Sequence, residues 1–119
     1  MTPFGERLRA MRAERGVRLK DMAAALGVSP AYLSALEHGQ RGKPSRFFVR
    51  RVCAFFNIIW DDAEALELLA QLSHPRVVVD TAGLDSRRTE LANRLAQAIA
   101  ALPDETVERW LGELGKLRK

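Results

Sequence analysis

The sequence predicts an all-α protein: five short helices, then a two-helix C-terminal extension, with room for one short strand between them. Three observations carry this. Apolar residues recur at helical spacing along most of the 119 residues. Proline, serine, threonine and glycine fall where helices start and stop. No strong strand alternation occurs before residue 76.

"TPFGERLRAMRAERG" opens as a helix: Thr2 suits the N-cap, Pro3 the first helical position and Gly16 the end. Phe4, Leu8 and Met11 make one apolar stripe. "LKDMAAAL" places Leu19, Met22, Ala23 and Leu26 on one face and stops at Gly27. Ser29 caps the next helix with Pro30 at its first position; Leu33 and Leu36 point inward, and Gly39 suits a left-handed C-cap. After the polar loop "QRGKPSR", the run "FFVRRVCAFFNII" gives Phe48, Val52, Phe55 and Phe56 a broad buried face. "DDAEALELLAQL" starts with acids, which a helix N-terminus favours, and continues with a Leu66, Leu69, Leu72 stripe. Residues 1–73 are therefore expected to form one helical domain.

Residues 74–119 read as a linker and a helical dimerisation region. In "HPRVVVDTAGLD", Val77, Val78 and Val79 form a short extended run bounded by turn residues. One isolated strand is not stable, so its expected partner is its copy in a second subunit. "DSRRTELANRLAQAIAAL" spaces Leu91, Leu95, Ala98 and Leu102 along a helix–helix seam, and Pro103 ends it. "DETVERWLGELGKLRK" repeats the seam with Val107, Trp110, Leu111, Leu114 and Leu117. Two such stripes exceed what one small domain needs to cover. A homodimer is expected, held by Val77, Val78, Val79, Leu91, Leu95, Leu102, Trp110 and Leu114. Trp60 and Trp110 read as core or interface anchors.

Composition bounds the function. With 47% hydrophobic and 29% charged residues the chain is globular rather than disordered. The longest apolar run, "VCAFFNIIW", is too short to span a bilayer, and no charged-then-apolar stretch with a cleavage site appears, so no secretory signal is expected. A cytoplasmic location away from membranes is expected. Cys53 is the only cysteine, so no intrachain disulfide forms; it reads as a small buried hydrophobe. Residues 1–56 carry eleven Lys and Arg against four Asp and Glu, while residues 57–119 carry eight against eleven. Cations gathered in one half are the footprint of a polyanion partner. There is no glycine-rich phosphate loop, no Ser/His/Asp set and no plausible carboxylate pair, so no catalytic residue is assigned and no enzyme is expected. Two histidines and one cysteine, far apart in sequence, give no metal spacing, and no cofactor is implied.

The tight glycine turn between the second and third helices points to the partner. Two helices joined in this way lay the second in the DNA major groove. Close approach requires small outward residues: Ala31 and Ala35 can touch thymine methyl groups, while Ser34 and Tyr32 can hydrogen-bond to bases or phosphates. "LKDMAAALGVSPAYLSALEHG", with "RLRAMRAERG" before it and "KPSRFFVRRVCAFFNI" after it, resembles the Xre-type helix-turn-helix family, relatives of the phage lambda and 434 repressors. The resemblance covers roughly residues 4–72 and implies a lambda-repressor-like domain with a recognition helix at about 29–38. It places base-reading positions on Ser29, Pro30, Ala31, Tyr32, Ser34 and Ala35. Phosphate-binding positions fall on Arg18, His38, Arg41 and Lys43; Lys20 and Arg46 join them as cations for phosphate or the minor groove. It also pairs Arg12 with Glu37 as a structural ion pair. Where many members open the first motif helix with Ser or Thr and then Gln, this chain has Arg18 and Leu19, which supply charge without a cap.

The implied function is a sequence-specific transcriptional regulator, a homodimeric repressor on a palindromic operator in double-stranded DNA. The alternative is an antitoxin that autoregulates through the same domain and sequesters a toxin protein with residues 76–119.

Overall fold

The computed structural model describes residues 1–117, and the chain divides into two compact units, Met1–Val77 and Val78–Lys119. Among the described residues every regular element is helical, and no helix is long and apolar enough to cross a membrane.

The first unit contains α1 (Pro3–Glu14), α2 (Leu19–Leu26), α3 (Pro30–Glu37), α4 (Arg46–Phe56) and α5 (Trp60–Gln71). Local chemistry starts three of them. Thr2, Ser29 and Ser45 lie in extended conformation, and each hydroxyl accepts from a backbone N–H three residues on, at 3.0–3.1 Å. The α2 start has no side-chain cap; Arg18 instead pairs with Asp21 across the first turn at 3.0 Å. Gly27 ends α2 at φ 72°, a left-handed conformation that Cβ-bearing residues resist, and the chain turns directly into α3.

The apolar stripes of α1 to α5 meet in one core. Phe4, Leu8, Met22, Leu26, Leu33, Leu36, Val52 and Phe56 are almost entirely shielded, and Phe48, Val49, Leu66 and Ala70 complete the packing. Each such large side chain contributes about 1.5–3 kcal/mol by leaving water. The α1 helix meets the C-terminal end of α3 at Gly5. A Cβ there would lie 2.5 Å from the Leu36 carbonyl oxygen and 2.9 Å from that of Glu37, so only glycine permits this approach. Leu72 departs from the expected α5 stripe: the helix ends at Gln71, and Leu72, its C-cap, is exposed. Trp60 is 81% exposed and opens α5 at φ 56°, so it is no core anchor.

The second unit contains α6 (Ser86–Ala98), a short 3-10 turn (Ile99–Ala101) and α7 (Asp104–Leu117). Asp85 caps α6 by accepting from the Arg88 N–H at 3.0 Å. Among the described residues of this unit none is buried. Leu91, Ile99, Leu111 and Leu114 are exposed, and Leu95, Leu102 and Val107 are half-buried. The short strand expected at Val77–Val79 does not form; the segment is irregular and its valines are exposed. The physical reason is that an extended segment without a neighbouring strand has no ladder to join.

Candidate nucleic-acid interface

The first turns of α3 are the exposed end of a helix whose other side is core. Leu33, Leu36 and Glu37 are buried, while Ser29, Pro30 and Ala31 are exposed and Ser34 and Ala35 half-buried. The exposed positions carry no large side chain, so a groove can approach the backbone closely. Ser29 uses its hydroxyl to cap the helix, accepting from the Tyr32 N–H at 3.0 Å, which leaves that oxygen engaged in the fold.

Tyr32 is half-buried. Its ring meets Phe48 edge-on, with centroids 5.9 Å apart at 81°, and the Arg41 guanidinium carbon lies 5.5 Å from its centroid. Arg41 and Lys43 sit on the α3–α4 loop, both exposed, and neither takes part in an ion pair among the described residues. Arg18 and Lys20 stand exposed at the start of α2, and Arg46 at the start of α4. Two of these cations already face carboxylates: Arg18 meets Asp21, and the Arg46 Nε lies 3.8 Å from Glu67. At the other end of α3, the His38 Nδ1–H donates to the Ser34 carbonyl at 2.8 Å, which leaves the ring's other nitrogen, Nε2, outside that bond.

The orientation of α3 is held from behind. Glu37 is 1% exposed, and its carboxylate accepts from Arg12 Nε at 2.8 Å and from Arg12 Nη2 at 3.0 Å. Arg12 also donates to the Val17 carbonyl at 3.2 Å, tying α1 and the α1–α2 turn to the end of α3. The hydrogen bond to Glu37 raises the Arg12 guanidinium above its already high range, against the opposing effect of burial.

One cation escaped the sequence reading. The Arg51 guanidinium reaches from α4 to the α2–α3 turn, where a Cβ on Gly27 would lie 2.6 Å from its Nη2. Its signal was the "RR" pair on the polar side of α4, which periodicity alone marks only as solvent-facing. The dimerisation candidates fall later in the sequence, between residues 77 and 114. Val77, Val78, Val79, Leu91 and Leu114 are exposed, Trp110 is 37% exposed, and Leu95 and Leu102 are half-buried.

Residues 3–68, more than half the chain, match the family described as helix-turn-helix domain. The HTH-type transcriptional repressor RghR of Bacillus subtilis is 36% identical over 61 residues, which covers 51% of this chain and 45% of that protein. The HTH-type transcriptional regulator DdrOP3 of Deinococcus deserti is 46% identical over 57 residues, covering 48% of this chain and 43% of that one. The chain thus spans about half the length of the curated relatives it matches. A solved SinR protein/SinI protein complex aligns with a TM-score of 0.47 and 24% identity over 94% of each chain.

Proposed function

The chain belongs to the Xre-type helix-turn-helix family, and on that premise we propose that it is a cytoplasmic, non-enzymatic transcriptional repressor that binds a palindromic operator in double-stranded DNA as a homodimer. The single observation that carries this reading is the exposed, small-sided start of α3, set on a core-facing helix and followed by the loop cations Arg41 and Lys43, which form no ion pair among the described residues. In this reading α3 enters the major groove. Pro30, Ala31 and Ala35 face base edges, Ser34 hydrogen-bonds, and Lys20, His38, Arg41 and Lys43 meet phosphates. Arg18 and Arg46 join them by exchanging their carboxylate partners for phosphate. Occlusion of a promoter requires only affinity and position, which this small unit can supply.

The homodimer is supported by the apolar residues Leu91, Leu111 and Leu114 of the second unit, each at least 60% exposed. Two units on half-sites one helical turn apart, about 34 Å, multiply the discrimination of a motif that reads few base pairs. A second copy covers Leu91, Leu111 and Leu114 in this reading; an antitoxin would cover the same face with a toxin, which would then co-purify.

The test is genome-wide footprinting followed by titration of a recovered site. Ala31→Glu should abolish specific binding with an unchanged circular dichroism spectrum, and affinity should fall steeply between low and moderate salt. Salt-independent affinity, or retained operator binding in Ala31→Glu, would place the function elsewhere.

A further inference from the structure

We infer that Tyr32 is not a base reader but a positioning residue, a platform that holds Arg41 ready for the DNA backbone. The inference rests on the DNA-binding reading above and deepens it. The phenol ring is fixed from two directions. Its edge contact with Phe48, itself 6% exposed, anchors the ring to the core, and Ser29 locks its backbone N–H at the helix cap. One face of the ring is then covered by the Arg41 guanidinium, 5.5 Å from the centroid and within cation–π range. A base-reading side chain on α3 must be free to reach a groove, whereas this ring is engaged on both counts.

Arg41 needs such a platform. It sits in the loop "QRGKPSR", outside any helix, and has no carboxylate partner among the described residues. A free arginine gives up considerable rotamer freedom when it docks on a phosphate. Held over the Tyr32 ring, it has already given up part of that freedom in the unbound protein, and its guanidinium N–H donors, in no hydrogen bond among the described residues, stay available for phosphate oxygens. Because phosphate contacts are blind to sequence, the effect is felt on every duplex.

The experiment is a double-mutant cycle in the full chain on a random-sequence duplex of about two helical turns, which needs no knowledge of the operator. Tyr32→Phe keeps the ring and should bind like the parent chain. Tyr32→Leu and Arg41→Ala should each weaken binding, the former by roughly two- to fivefold. Once Arg41→Ala is present, Tyr32→Leu should cost nothing more. Equal losses from Tyr32→Leu in both backgrounds, or a loss in Tyr32→Phe, would overturn the inference while leaving the DNA-binding reading intact. If the parent chain shows no salt-dependent affinity for the duplex, the reading itself falls and takes the inference with it. A second measurement avoids any folding defect of the variants. In the parent chain the Arg41 side-chain methylene protons should resonate upfield of those of other arginines, under the Tyr32 ring current, and unshifted resonances overturn the platform.

Discussion

Residues Met1–Val77 hide fifteen apolar side chains from water, whereas the described residues of the second unit hide none, although both are helical and both carry apolar stripes. The difference is one of partners. In the first unit five helices give each stripe a facing stripe, so Leu8, Leu33 and Val52 are shielded within one core. The second offers two helices joined at Pro103, too little chain to enclose a core. Helix formation is therefore legible from a single segment, but burial depends on how many other segments are present. A stripe without a counterpart is an unfinished core.

The comparison can be broken at its ion pairs. Arg12→Ala strips from a carboxylate that is 1% exposed its one charged partner among the described residues, and should destabilise the first unit by about 3–5 kcal/mol. Arg94→Ala removes the Glu90 pair of α6, where both side chains are mostly exposed, and should leave the thermal melt unchanged. Comparable losses for the two variants would erase the distinction between the units.

Glycines sharpen it next. Gly5→Ala forces a Cβ against two carbonyl oxygens and should cost about 1–3 kcal/mol. Gly112→Ala, in the open middle of α7, meets nothing within 4 Å and should gain up to about 1 kcal/mol of helix stability. Chemical denaturation of the two variants should move in opposite directions.

Self-association comes third. Leu114→Asp should weaken dimerisation by roughly tenfold or more, seen by sedimentation at micromolar concentration. The melt of residues 1–77 should not move. A truncation after Val77 should sediment as a monomer with that same melt, and a dimeric truncation would assign self-association to the first unit.

The smallest effect concerns pH. Burial, reinforced by the negative charge of Glu67, pushes the Cys53 thiol upward. A folded thiol that holds its proton longer than the unfolded one stabilises most below the ordinary thiol range, about 8.5. Stability should therefore decline as pH rises through and beyond that range. Cys53→Ala should flatten the decline, in the first unit alone, because the chain has no other cysteine.

Features fixed within a few residues were readable before folding. Thr2 with Pro3, Ser29 with Pro30, and Gly27 all announce helix boundaries through local hydrogen bonding or backbone conformation. The inward set of Leu33 and Leu36 followed from period alone. What escaped depends on distant chain. Gly5 looks like an indifferent helical glycine until α3 arrives against it, and the sequence leaves Tyr32 open between packing and DNA contact until Phe48 and Arg41 come against its ring. Leu72 has the right spacing for burial, but its helix stops one residue short. The valines of 77–79 have strand propensity with nothing alongside to pair with, and propensity without pairing leaves irregular chain.

Ser73 gives the first unit a property of a different kind. Its buried hydroxyl accepts from the Phe4 N–H at 3.0 Å and donates to the Leu69 carbonyl at 2.6 Å, so the end of the last helix is stitched to the beginning of the first. Entry and exit of the chain lie side by side, sixty-nine residues apart in sequence. A unit closed in this way is a cassette. It can be spliced into a surface loop of a host protein without prying the host apart, and it can be circularly permuted by bridging residues 2 and 73 with a few residues and opening the exposed loop at 41–43.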